Sequence, residues 1–110
     1  MHYNVIPTPK FRKEAKHLIK KYPSLQSELY AFEQSLAANP LQGASLGHRA
    51  YKVRISIKSK GKGKSGGARI ITYVITAQLE IYLLTIYDKS ELDTIDAHTL
   101  KQLIGEITSK

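Results

Sequence analysis

Four cations have the spacing that matters most in this chain: Lys52 and Arg54, two residues apart, then Arg69, then Lys89. Converging ammonium and guanidinium groups neutralise the charge that develops on a phosphate during phosphoryl transfer, and a lysine of lowered pKa can move a proton. The same groups suit phosphate binding without chemistry. Spacing alone puts binding ahead, because basic faces are more often electrostatic footholds than catalysts. Tyr87, beside Lys89, and Tyr73 could stack on an unpaired base. Tyr51 shares parity with Val53 and Ile55 and reads as buried. His48, next to Arg49, could serve in acid–base chemistry near neutral pH, although an exposed loop histidine is the simpler reading. His2, His17 and His98 look incidental. No metal or other cofactor is expected. Four histidines without a cysteine give no zinc-finger spacing, and the acids Asp88, Glu91, Asp93 and Asp96 fit the capping of a helix.

The charge is unevenly placed. The net charge is +8, from 17 Lys plus Arg against 9 Asp plus Glu. From Gln34 to Leu79 there is no acid, and Arg49, Lys52, Arg54, Lys58, Lys60, Lys62, Lys64 and Arg69 all fall there. The other cations and the acids balance, so along the sequence the whole excess belongs to this segment. Such a local excess is the electrostatic footprint of a polyanion site; the plainer reading is a solvated basic loop. The stretch KSKGKGKSGGAR contains Gly63-Lys64-Ser65, the tail of a phosphate-binding loop. The first glycine of that motif would fall on Lys58, and a strand follows where a helix is required, so a nucleotide triphosphatase is excluded.

The elements that must position these groups are legible from periodicity. Tyr3 to Ile6 suits a short strand. Thr8-Pro9 reads as an N-cap followed by proline at the first helical position. Phe11, Ala15, Leu18, Ile19 and Tyr22 recur at helical spacing over residues 9 to 22. Pro23 stops that helix, Ser24 can cap a second, and Leu25, Leu29, Phe32 and Leu36 line its apolar face up to Asn39-Pro40. Tyr51, Val53, Ile55 and Ile57 then alternate with Lys52, Arg54, Ser56 and Lys58, sending apolar and basic side chains to opposite faces of a strand. After a loop from Lys58 to Gly67, Arg69 to Ile75 and Ile81 to Tyr87 form two more strands around a turn at Thr76 to Gln78. Asp93 or Thr94 can cap a last helix striped by Leu100, Leu103, Ile104 and Ile107. The expectation is an α+β domain with its helices on one sheet face and Lys52 and Arg54 on the open other face.

A chain of 110 residues, 42% hydrophobic, suits a single domain over 1–110. The lack of cysteine favours a reducing, cytoplasmic setting. The N-terminal MHYNVIPTPKF lacks the apolar stretch of a signal peptide, and no run approaches the roughly 18 apolar residues of a membrane span.

The order of elements, the strand YKVRI, the strand GGARIITYVI and the ending IYLLTIYDKSE resemble RelE/HigB-type toxins of bacterial type II toxin–antitoxin systems. The resemblance runs from about Val5 to Ile104, and SGGAR before an apolar strand followed by LLTIYDKSE points to the HigB-like branch. It implies a small antiparallel sheet of about four strands, an N-terminal helical hairpin and a C-terminal helix. It also implies a ribosome-dependent, metal-free endoribonuclease (an mRNA interferase) that cuts translated mRNA in the ribosomal A site. A cognate antitoxin would be its protein partner. In that chemistry the ribose 2′-hydroxyl attacks the adjacent phosphate. By residue matching, Lys52 would transfer a proton and Arg54 and Arg69 would bind the scissile phosphate. Lys89 would assist at the leaving oxygen, and Tyr87 would position a base. Lys58, Lys60, Lys62 and Lys64, with Arg49, His48 and Tyr73, would hold RNA. One position departs from RelE itself: Ile95 stands where a catalytic tyrosine would, so Tyr87 or Tyr73 would have to serve. Two alternatives share the architecture. One is a ParE-like inhibitor of DNA gyrase; the other is a non-enzymatic RNA- or ribosome-binding module.

Overall fold

The computed structural model describes residues 2–61, 66–92 and 94–109. Its elements are β1 (Asn4–Pro7), α1 (Pro9–Lys21), α2 (Leu25–Ala38), β2 (Ala44–Gly47), β3 (Ala50–Ile55), β4 (Ala68–Ile75), β5 (Glu80–Asp88) and α3 (Ala97–Thr108). The strands form one sheet in the order β1-β5-β4-β3-β2. β2 to β5 pair antiparallel, and β1 adds parallel to β5 with Val5 opposite Ile81.

The helix signals act as the sequence implies, with two exceptions. The Thr8 hydroxyl accepts from the Phe11 amide at 3.2 Å and donates to the Leu83 carbonyl at 2.9 Å, so one residue both starts α1 and ties it to β5. Ser24 stands at the start of α2 but makes no side-chain cap bond. Its Oγ instead accepts the Ser59 amide at 3.0 Å. The last helix is capped by Asp96, whose carboxylate accepts the Thr99 amide at 2.7 Å, and not by Thr94. Asp93, the other expected cap, lies outside the described residues.

Both faces of the sheet are covered, which corrects the expectation of helices on one face alone. Phe11, Leu18, Leu25, Phe32 and Leu36 of the hairpin pack on the face bearing Val53, Ile55, Ile70, Val74 and Leu83. Leu100 and Leu103 of α3 pack on the other face, over Ile71, Tyr73 and Leu84. The reason is in β4, which is apolar at successive positions from Ile70 to Val74 with only Thr72 between. A strand of that kind is buried on both sides and needs a second layer. The sheet also has five strands, one of them parallel. β2 went unread because Ala44-Ser45-Leu46-Gly47 has no β-branched residue to mark it.

Two close backbone approaches fix the lower end of the sheet. A Cβ on Gly67 would sit 2.0 Å from the Ile55 carbonyl oxygen, so only glycine allows β4 to start beside β3. Next to it, the Lys89 amide donates to the Gly67 carbonyl at 3.0 Å.

Candidate nucleic-acid interface

The register brings three of the singled-out residues into one row. Arg54 on β3 lies opposite Arg69 on β4, and Arg69 lies opposite Tyr87 on β5. Neighbouring strands are about 4.8 Å apart, so the row spans roughly 10 Å on the face shared with α3. Lys52 follows one row further along the same face, opposite Ile71. The guanidiniums of Arg54 and Arg69 thus stand on directly opposed positions of adjacent strands. α3 covers the Ile71–Tyr73 part of this face and leaves Arg54 exposed and Lys52 half-buried at its margin.

The four expected chemical groups therefore share one end of the sheet, but they are not equally presented. Arg69 is only 3% exposed, and its Nη1 donates to the Ala68 carbonyl at 3.1 Å. It is a floor residue and not a rim residue. Arg54 also borders a groove of about 450 Å³ beside α2, with Glu28, Gln42 and Lys58 on its walls. The groove exists because β2 pairs only with Ala50 to Lys52 and leaves the rest of the outer edge of β3 uncovered. Lys89 is half-buried and lines a cavity of about 510 Å³ with Tyr22, Ser59, Lys60, Gly66 and Ser90. Tyr87 is half-buried, packs against the α3 cluster, and shares a cavity of about 650 Å³ with α1.

Other expected contacts are redistributed. Tyr73 is 6% exposed, within the core under α3, and no base can reach its ring there; Ile95 joins the same cluster. The ring of Tyr51, by contrast, packs against the hairpin side, as its parity requires. His48 and Arg49 are exposed at the tip of the β2–β3 hairpin, both in the left-handed region with φ of 55° and 65°. Lys58 is exposed. Lys60 is not: its side chain is 8% exposed and its ammonium lies 2.6 Å from a carboxylate oxygen of Asp88. Lys62 and Lys64 lie outside the described residues.

Asp88 is the residue that sequence reasoning placed wrongly, grouped with helix-capping acids. It is 2% exposed and closes β5 between Tyr87 and Lys89. Its carboxylate accepts from Lys60 Nζ, from Tyr22 Oη at 3.1 Å, and from the Ser90 amide at 2.9 Å and hydroxyl at 2.8 Å. Burial by itself would raise the carboxyl's pKa; the bonds from Lys60, Ser90 and Tyr22 outweigh it and hold the pKa well below the usual carboxylate range. The Lys60 ammonium also lies 5.3 Å from the Tyr22 ring centroid. Further bonds from the Ser59 amide to Ser24 and from the Lys58 amide to Glu28 Oε2 at 2.8 Å pin the start of the basic loop to α2. The missed signal was an acid directly at the end of an apolar strand, where burial of the strand carries the acid inside with it.

No family model matches this chain. A solved structure of the toxin RelE of E. coli, a double arginine-to-alanine mutant in the free state, superposes with a TM-score of 0.65. The match covers 97% of this chain and 99% of that one, at 14% identity. This chain has the RelE fold. The α+β arrangement of a RelE-like domain is thereby established, and the cation row of β3 and β4 is a feature of one end of a RelE-like sheet.

Proposed function

We propose that the chain is the toxin of a type II toxin–antitoxin system and that it cleaves translated mRNA on the ribosome. The observation that carries this reading is the row Arg54–Arg69–Tyr87 with Lys52 beside it, on one face of a RelE-like sheet. A phosphodiester laid across β3 and β4 meets the exposed Arg54 guanidinium, which suits the bidentate binding of phosphate oxygens, with the charge of Arg69 buried beside it. The ribose 2′-oxygen attacks the adjacent phosphorus and the bond from phosphorus to the 5′-oxygen breaks. A 2′,3′-cyclic phosphate and a free 5′-hydroxyl result. Lys52 takes or relays the 2′ proton, Arg54 and Arg69 offset the charge on the pentacoordinate phosphorus, and Lys89 assists the departing 5′-oxygen. Tyr87 holds a base. Lys58 and Arg49 meet phosphates outside the cut, as would Lys62 and Lys64. Neutralisation falls to a cognate antitoxin.

The burial of Arg69 favours one second reading, a module that binds RNA without cutting it. Brief induction in bacteria, with primer extension on a reporter message, separates the two. Cuts confined to translated regions and absent in Arg54→Ala support the nuclease; Arg54 is exposed, so this variant keeps its fold. Messages of full length bound to the protein would leave only the module. Intact messages with induced DNA damage would instead point to the gyrase alternative.

A further inference from the structure

We infer that the outer face of α1 is a second nucleic-acid surface, one that takes the phosphate backbone of an RNA helix. This rests on the reading that the protein acts on RNA, and it concerns a different part of the molecule from the sheet row.

Along the sequence, the acids outside residues 34–79 cancel the cations there. In space they do not. α1 holds Lys10, Arg12, Lys13, Lys16, Lys20 and Lys21 against the single acid Glu14, and all six cations are exposed. Several of the acids that balance them in a count are held in other contacts. Glu14 turns inward, accepting from the Thr85 hydroxyl at 2.7 Å and the Ile86 amide at 3.3 Å. Glu28 holds the Lys58 amide, Asp88 holds Lys60, and Asp96 caps α3. Lys10 is paired with Glu14 and Lys21 with Glu91, while Arg12 faces the half-buried Glu33. Lys13, Lys16 and Lys20 have no ion pair among the described residues. At 1.5 Å per residue they form a row about 10 Å long.

The chemistry of this face selects its partner. The apolar residues of α1 point inward: Phe11, Ala15 and Leu18 are buried and Ile19 is packed against the core. The outer face therefore offers no anchor of the kind that dominates protein–protein interfaces, and no apolar side to enter a membrane. A row of uncompensated cations fits a regular row of phosphates. The deep, narrow major groove of an RNA helix does not admit an α-helix, so contact is with the backbone and carries no base preference. The row also meets the sheet site. Lys13 and His17 share with Tyr87 the cavity of about 650 Å³ at the outer edge of β5. A helical RNA on α1 can thus lead into an unpaired nucleotide at Tyr87.

The test uses the whole purified protein, a labelled RNA duplex of arbitrary sequence, and anisotropy at about 50 to 200 mM salt. The triple variant Lys13→Gln, Lys16→Gln, Lys20→Gln should reduce the slope of log affinity against log salt by about 2 to 3, since each lost phosphate contact removes about 0.7 to 0.9. Lys101→Gln, at an exposed cation of α3 outside both surfaces, should leave the slope unchanged, and binding is read without cleavage, so a failure of the nuclease reading leaves this result untouched. A slope unchanged in the triple variant overturns the inference. So does binding to poly-glutamate that the triple variant loses while duplex binding stays intact, which would assign the face to an acidic protein.

Discussion

The pair Lys60 and Asp88 shows what a single buried contact demands. Removing one partner of a buried ion pair strands the other, at a cost of about 3 to 5 kcal/mol. Asp88→Ala should therefore lower unfolding stability by about 3 kcal/mol or more in urea titrations at neutral pH. Because the folded carboxyl titrates below its unfolded counterpart, the stability it contributes is complete above the unfolded value of about 3.9 and is lost as pH falls below it. The gap in urea midpoint between wild type and Asp88→Asn should consequently be wide at neutral pH and narrow as the solution is acidified. A gap independent of pH would show that the charge of Asp88 contributes nothing. Arg54 makes the opposite case. It is exposed and faces Arg69, so Arg54→Ala should change stability by no more than about 0.5 kcal/mol while it abolishes cleavage. A stability loss of several kcal/mol in that variant would mean that Arg54 is structural.

At the scale of elements, the hairpin tip between β2 and β3 holds a conflict. His48 and Arg49 both adopt positive φ, which costs roughly 1 kcal/mol or more for residues with a Cβ, whereas Asn-Gly accepts such a turn readily. The double substitution His48→Asn with Arg49→Gly should raise the melting temperature by about 4 to 8 °C for each kcal/mol released. If RNA binding falls at the same time, the strained turn serves to present the Arg49 side chain. The same scale shows what periodicity could and could not convey. The stripes of α1, α2 and α3, the alternation from Tyr51 to Ile57 and the apolar runs of β4 and β5 are each set by local burial, and each forms where its pattern lies. The parallel seat of β1 on β5 and the crossing of α3 to the second face are relations between distant segments, which no window of the chain contains. Gly67 is the local mark of one such relation. Gly67→Ala should not fold stably, because its methyl group would meet the Ile55 carbonyl; a soluble variant with the wild-type melting temperature would refute that packing.

Over the whole molecule, the sequence located most of the candidate site through spacing, since two residues apart on a strand means the same face. It could not show which cations the fold would bury. Arg69 and Lys60 look like their neighbours in the sequence, and only the register and the position of Asp88 separate them from Arg54 and Lys58. Nor could a count along the chain reveal that Lys13, Lys16 and Lys20 have no ion pair among the described residues while Glu28, Asp88 and Asp96 are held in contacts elsewhere. Salt should therefore act on this protein with two signs. Screening relieves the self-repulsion of a net charge of +8, so the melting temperature should rise with added chloride. Affinity for RNA should fall steeply over the same range. Parallel behaviour of the two quantities would mean that salt acts on the fold and not on the interface.

The seat of β1 has a consequence in time. β1 pairs with a strand that begins only at Glu80, and the Thr8 hydroxyl that starts α1 is bonded to Leu83. The first elements to leave a translating ribosome therefore wait for one of the last before their apolar sides are covered. Closing such long-range contacts is slow relative to forming local ones, and an incomplete chain exposes Phe11, Leu18 and Leu36. Until β5 has emerged the row on the sheet stops at Arg69, because Tyr87 and Lys89 have not been made. A nascent chain thus stays unassembled until β5 is made, and its candidate site is completed together with its stability.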